Sequence, residues 1–260
     1  GTWGGFVFIN MDPDCEPLED FLGDLDAHFD RWPLEDRYKE AHVAKVMDCN
    51  WKVAQEAFME AFHVVATHPQ LLPSLGDAIS QYDVFGNFSR AISPNGVPSP
   101  HVTWEPSQQD IFDAMSDRNL DEEPKAIVPD GETARHLAAE SARTSLRPAI
   151  GDRADELCDA ELTESIYYTV FPNFHPWGAY NRITYRFRPY GNDHRRCIME
   201  CMFLSPFVEG ERPPPAPIHW LEPEDDWTAA PELGALGRVQ QRLGTRGRRA
   251  AILAFLAVSL

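Results

Sequence analysis

Between Glu164 and Phe207 three β-rich runs follow one another, ESIYYTVFPNF, AYNRITYRFRPYG and RRCIMECMFLSPF, each separated from the next by turn residues. In the second run Arg182, Thr184, Arg186 and Arg188 alternate with Ile183, Tyr185 and Phe187. A period of two places successive side chains on opposite faces, which marks a half-exposed strand. Three such strands in succession predict an antiparallel meander with one face on a core and the other toward solvent. Upstream, GFVFIN (Gly5 to Asn10) and Tyr38 to Met47 read as strands, and Tyr82 to Ile92 is strand-like within a stretch rich in Pro, Gly, Ser and Asn. Glu19 to Phe29 has helical spacing, with Phe21, Leu22, Leu25 and Phe29 on one side; weaker helices are expected around IFDAMSD and ETARHLAAESARTSL. Helices ahead of a run of strands predict an α+β fold.

The bulk composition narrows the function classes. A formal net charge of −18 argues against a nucleic-acid partner, since phosphate binding needs a basic surface. No opening segment resembles a signal peptide and no apolar run approaches the roughly 20 residues of a membrane helix, so a cytoplasmic location away from the membrane is expected. Five scattered cysteines, without a CxxC or CxH pair, predict free thiols rather than a disulfide framework or a zinc ribbon. Cys197 and Cys201, four apart in a strand, are expected to share a buried face.

The stretch NWKVAQEAFMEAFHVVATHP, Asn50 to Pro69, carries the chemistry. On a helix from Asn50 to Phe62, at about 100° per residue, Glu56, Glu60 and His63 fall on one stripe, opposite Trp51, Ala54, Phe58 and Phe62. His68 then lies about 140° from His63, so the two imidazoles can share an ion only if the helix ends or unwinds between them. Pro69 and the β-branched Val64, Val65 and Thr67 favour such an ending. Two histidines with a carboxylate suit a mononuclear non-haem Fe(II) centre. The absence of HExxH argues against a zinc protease, and a single ExxH, Glu60 to His63, argues against a di-iron bundle. The bland alternative for these spacings is an ordinary amphipathic helix with a surface Glu–His hydrogen bond.

Asn50-Trp51-Lys52, followed by Glu56-x-Phe58-x-Glu60-x-Phe62-His63-x4-His68-Pro69, closely resembles the iron-binding segment of Rieske-type aromatic ring-hydroxylating oxygenase α subunits. GGFVFINMDPDCEPLEDFLGDL and YTVFPNFH resemble other parts of the same catalytic domain, and the likeness extends from residue 3 to about residue 240. The resemblance implies a helix-grip fold, an antiparallel β-sheet packed against a long helix, with residues 1–243 as the catalytic domain. It implies Fe(II) on His63 and His68, and Glu60 where the family has an acid bridging to a neighbouring subunit's cluster. Ala57, Phe58, Ala61 and Val64 match positions that line the substrate pocket. Ala57 and Phe62 replace an Asn and a Tyr of the family pattern, which removes two polar groups near the iron. The implied reaction is O2-dependent hydroxylation of an aromatic substrate, with electrons from NAD(P)H through a ferredoxin or reductase and a Rieske [2Fe–2S] centre, in a homotrimer.

Two departures qualify that expectation. The cluster needs a Cys-x-His and a Cys-x-x-His pair, and the 260 residues contain neither. The carboxylate ligand is expected shortly after a segment like Leu233 to Val239, where the sequence instead continues QQRLGTRGRR and ends AAILAFLAVSL. Residues 244–260 thus read as an atypical basic and apolar tail, as a shifted reading frame or truncation would produce. Asp225 and Asp226 are the nearest acids along the chain. The competing expectation, from another class, is a catalytically inactive helix-grip module that binds a small molecule, or a gene remnant.

Overall fold

The computed structural model describes residues 1–116, 126–208, 210–234 and 236. The tail of residues 244–260, and most of the segment expected to precede the missing carboxylate, lie outside the described residues. In chain order the elements are β1 (Thr2–Trp3), β2 (Phe6–Val7), α1 (Leu18–Leu22), α2 (Leu25–Phe29), β3 (Arg37–Met47), α3 (Trp51–Glu56), α4 (Val64–Thr67), β4 (Gln81–Phe85) and β5 (Phe88–Ser93). They continue with α5 (Gln108–Met115), α6 (Ala134–Ile150), α7 (Asp159–Thr163), β6 (Ser165–Val170), β7 (Phe174–Pro176), β8 (Ile183–Tyr190), β9 (Asp193–Pro206) and β10 (His219–Leu221). The α+β class expected from the sequence is the one observed.

Eight strands form one sheet in the order β10-β3-β9-β8-β7-β6-β5-β4. Strands β4 to β9 are consecutive antiparallel neighbours, which is the meander that the alternating runs predict. The first run bends back through the short β7, so three runs supply four strands. β3 then adds antiparallel to β9, and β10 closes that edge in parallel. The sheet has helices and turns on both faces. On one, Ile166, Tyr168, Val170 and Phe174 pack against Leu22, Leu25 and Phe29 and against the end of the long helix α6 at Leu146, Ala149 and Ile150. On the other, Val43, Tyr185, Phe187, Met199 and Cys201 pack against Trp51, Ala54 and Phe58 and against Trp227 and Leu233.

Some local expectations are corrected. The helix expected over Glu19–Phe29 is two, because Gly23 takes φ +54°, a conformation that a residue with a Cβ disfavours. The strand expected over Gly5–Asn10 is only Phe6–Val7. All five cysteines are free, with Cys197 and Cys201 buried on β9 as expected and Cys49 Sγ 3.9 Å from Cys197 Sγ.

One polar cluster crosses the packed strands. Glu200 on β9 is fully buried and meets Arg186 Nε at 2.5 Å, Arg188 Nε at 3.0 Å and His42 Nε2 at 3.2 Å. Burial alone pushes its carboxyl up, but the hydrogen bonds from His42 and Arg186 and the charges of Arg186 and Arg188 prevail and hold it well below the usual carboxylate range. A carboxylate depressed in the folded state stabilises above its unfolded pKa, and that stabilisation is lost as pH falls through the folded value. Glu200→Gln is expected to cost about 1–2 kcal/mol at pH 7, because the charge-assisted hydrogen bonds are weakened while the Arg186 and Arg188 side chains, 42 % and 36 % exposed, stay solvated. The difference from wild type should shrink below the ordinary value of 4.5, as urea unfolding across pH would show.

Candidate metal centre

α3 begins where Asn50 caps it: the Asn50 side chain accepts the Lys52 N–H at 2.9 Å and donates through Nδ2 to the His194 carbonyl at 2.9 Å. This asparagine both starts the helix and ties it to the β8–β9 turn. Trp51, Ala54 and Phe58, at spacings of three and four, face the sheet. Phe58 lies 4.5 Å from the ring of Tyr185 and 5.3 Å from that of Phe187.

The helix does not reach Phe62. The Phe58 N–H bonds to the Gln55 carbonyl and Met59 N–H to that of Glu56, three residues back, which tightens and ends the helix. The Ala61 N–H donates to the Tyr82 hydroxyl at 3.1 Å instead of to a helical carbonyl, while Phe62 stacks on the Tyr82 ring. Glu56, Glu60 and His63 therefore do not form one continuous helical stripe. His63 instead sits at the N-terminus of α4 and His68 at its C-terminus, where φ −126° and ψ 50° leave the helix. The ending that sharing an ion demands comes at His68 itself, after one helical turn, and the two rings stand 5.4 Å apart between centroids at 78°.

Glu60 organises the first of these histidines. Its Oε1 lies 2.6 Å from His63 Nδ1 and its Oε2 accepts the His63 backbone N–H at 3.0 Å. With a proton on Nδ1 donated to Glu60, the Nε2 lone pair of His63 is left for a metal or a proton. His68 is buried, at 3 % exposure. Among the positions that the resemblance assigns to a pocket, Ala61 and Val64 are buried at 3 % and 4 %, Phe58 packs on the sheet, and Ala57 ends α3 half-buried. The donor set therefore fits two positions of an iron site. Among the described residues, the three metal-ligating side chains that converge are His136, Glu140 and Asp159, on α6 and α7 rather than here. Arg143 already pairs with Glu140 and with Asp159 in that group.

The structure does not bring Asp225 and Asp226 to the histidines. Asp225 follows β10, takes the Glu222 N–H at 2.9 Å on its side chain and the Lys45 ammonium on its carbonyl. Lys45 belongs to β3, and among the described residues neither Asp225 nor Asp226 joins His63 and His68 in a group of converging metal-ligating side chains. Residues that the sequence did not single out do gather near Glu60. Tyr167 on β6, 8 % exposed, shares a hydroxyl chain with Ser93 and Ser80. Burial pushes its phenol well above the ordinary range, opposed by the Ser93 hydrogen bond and aided by Tyr82 and Glu60. His175, between Thr169 Oγ1 at 3.0 Å and Gln55 Oε1 at 3.4 Å, is driven down to about 3 by burial and stays neutral. Only their strand alternation could have flagged these side chains, and alternation alone does not say which face carries a site.

Tyr82→Phe keeps the stack on Phe62 and removes the acceptor of the Ala61 N–H. It should lower stability by about 1–2 kcal/mol, measured by urea unfolding, whereas Phe62→Ala should cost less because Phe62 is 65 % exposed.

Comparison with known proteins agrees with this architecture. Residues 27–216 match the family described as ring hydroxylating alpha subunit (catalytic domain). Over 72 residues the chain is 32 % identical to the oxygenase subunit of a glycine betaine monooxygenase from Chromohalobacter salexigens, a stretch covering 28 % of this chain and 16 % of that protein. Over 79 residues it is 30 % identical to the large subunit of a 2-halobenzoate 1,2-dioxygenase from Burkholderia cepacia, covering 29 % of this chain and 17 % of that one. The matched stretches thus span about one sixth of these relatives. Among solved structures, a quaternary ammonium Rieske monooxygenase in complex with L-carnitine superposes with a TM-score of 0.48 at 14 % identity, over 96 % of this chain and 49 % of the other. Since the family match takes in most of the sheet and both histidines, the chain belongs to the ring hydroxylating alpha subunit family, as its catalytic domain.

Proposed function

We propose that residues 1–243 act as the catalytic domain of a Rieske-type non-haem iron oxygenase, with Fe(II) on His63 and His68. The observation that carries this reading is the pair of imidazoles converging across α4, one of them oriented by Glu60. Iron held there would supply O2 activation, with electrons from NAD(P)H reaching it through a reductase or ferredoxin and a Rieske centre. A homotrimer, in which one subunit's cluster serves its neighbour's iron, is the assembly this reading implies. The chain's own groups have defined tasks. Glu60 fixes the His63 tautomer and aims Nε2 outward; both of its oxygens already serve His63, so a link to a neighbouring subunit would use its remaining lone pairs. His68, being buried, presents its ring without competition from bulk water. Ala57, Phe58, Ala61 and Val64 keep the substrate side apolar. The Tyr167 phenol stays protonated at neutral pH and can donate a hydrogen bond beside Glu60.

An aromatic substrate suits the apolar positions Ala57, Phe58, Ala61 and Val64, behind which Tyr167 and Trp177, 5.4 Å apart, and the buried Tyr185 make an aromatic core on this side of the sheet. The same rings favour a second reading, a quaternary ammonium substrate held by cation–π attraction, as the named substrate of the betaine monooxygenase relative would require.

Iron per chain after anaerobic Fe(II) reconstitution and desalting tests the metal site. One iron in wild type, lost in His63→Ala and His68→Ala and weakened about 10- to 100-fold in Glu60→Gln, is the expected outcome. Negligible iron in folded wild type would leave the inactive small-molecule-binding module as the reading. Thermal shifts of the iron-loaded protein with benzoate and with glycine betaine separate the two substrate classes. Turnover with NADH in the absence of any cluster-bearing component would contradict the electron route.

A further inference from the structure

The sheet face opposite α3 holds a cavity of about 390 Å³ between the Gly4–Phe6 turn, β3, β8, β9 and the segment around Pro213. Five of its lining side chains are basic: Arg37, Lys39, His42, Arg186 and Arg212. Among the described residues no Asp or Glu lines it. This is unexpected in a chain with a net charge of −18. Glu200, beneath it, is fully buried and paired with Arg186 and Arg188. The acids next to β3 in sequence are engaged elsewhere: Glu35 accepts the Gly4 N–H, Asp36 pairs with Arg153 and Glu40 pairs with Arg182.

Three of the cations hydrogen-bond only to neutral groups, although the charges of Asp36 and Glu35 act on Arg37 without touching it. Arg37, 3 % exposed, donates to the carbonyls of Trp32, Ala179 and Asn181, and its buried Nε meets no acceptor among the described residues. Lys39 Nζ meets His42 Nδ1 at 3.1 Å, and Arg212 donates to the Arg37 carbonyl at 3.2 Å while lying over the Phe207 ring. Among the described residues none of the three contacts a carboxylate. A structural role accounts for Arg37, whose guanidinium ties three loop carbonyls together. It does not account for Lys39 and Arg212, which line the same cavity, where an anion between them would turn their mutual repulsion into attraction. Leu34, Met202 and Leu204 give the cavity an apolar floor. Its volume is that of a small-molecule site.

We propose that this cavity binds a small organic anion, its carboxylate or phosphate group held by Lys39, Arg37 and Arg212 and its apolar part resting on Leu34, Met202 and Leu204. The site is on the other side of the sheet from His63 and His68 and does not depend on iron. Calorimetric titration of metal-free protein with citrate and with inorganic pyrophosphate, at an ionic strength held constant with sodium chloride, tests it. Saturable binding of one or both, with a raised unfolding midpoint that chloride does not reproduce, is expected; whichever binds tighter identifies the carboxylate or the phosphate source. Lys39→Gln combined with Arg212→Gln should weaken binding about tenfold or more, since each removes a charge-assisted hydrogen bond. Lys39→Gln alone provides the same test should the double variant not fold. Absence of binding to wild type, or binding unchanged in these variants, would overturn the proposal.

Discussion

The ladder between β3 and β9 is the constraint on which the rest of the molecule depends. It pairs Arg37–Met47 with Cys197–Pro206, residues some 150 positions apart, through ten register pairs. Closing so long a loop is entropically costly and is offset only by an extensive interface. That interface is the apolar alternation of Ala41, Val43, Cys201 and Phe203 on one side and the Glu200 cluster on the other. Because β3 sits inside the sheet, the chain leaving it at Met47 enters α3 directly above β8 and β9. From there it has to cross the sheet to reach Tyr82 on β4, the opposite edge.

The crossing breaks the helix in the middle of the metal-binding motif. That break lies upstream of both histidines and sets where the His63–His68 turn sits; what turns the two rings toward each other is the exit from helix at His68, where φ is −126° and ψ 50°. Phe58 anchors the chain on Tyr185 and Phe187, and Tyr82 offers its hydroxyl to the Ala61 N–H, so the break leaves that backbone donor satisfied. The two histidines then frame a single turn of helix and face each other. Glu60 contributes locally, through a contact with its third neighbour that needs no tertiary partner.

The two faces of the sheet differ in chemistry because the same strands present alternate residues to each. Tyr185 and Phe187 look toward α3, while Thr184, Arg186 and Arg188 look the other way. The side that faces α3 is aromatic, with Tyr167 and Trp177 packed 5.4 Å apart. The cationic side, gathered around the buried carboxylate of Glu200, suits an anion. A sheet with helices and turns on both faces can hold both environments within about 10 Å of each other without mixing them.

Much of this was legible in the residue order. The α+β class, the meander, the shared face of Cys197 and Cys201, and the pairing of His63 with Glu60 are consequences of period-two alternation and of spacings of three or four, which act over one or two turns of chain. Helix ends were less legible: Gly23 breaks its helix through a positive φ that a glycine makes cheap, yet helical spacing continued across it. The Tyr167–Ser93–Ser80 hydroxyl chain and the placing of Asp225 were decided by tertiary structure alone, whereas the helix ending before Pro69, on which the meeting of His63 and His68 depends, was foreshadowed by the residue order. The hydroxyl chain and the placing of Asp225 depend on which strand lies next to which; the turn that brings His63 to His68 is held by its own backbone hydrogen bonds, and the tertiary contact with Tyr82 fixes only where that turn begins. Local spacing determines what a side chain can do within a few residues; the long-range pairing of β3 with β9 determines which side chains meet.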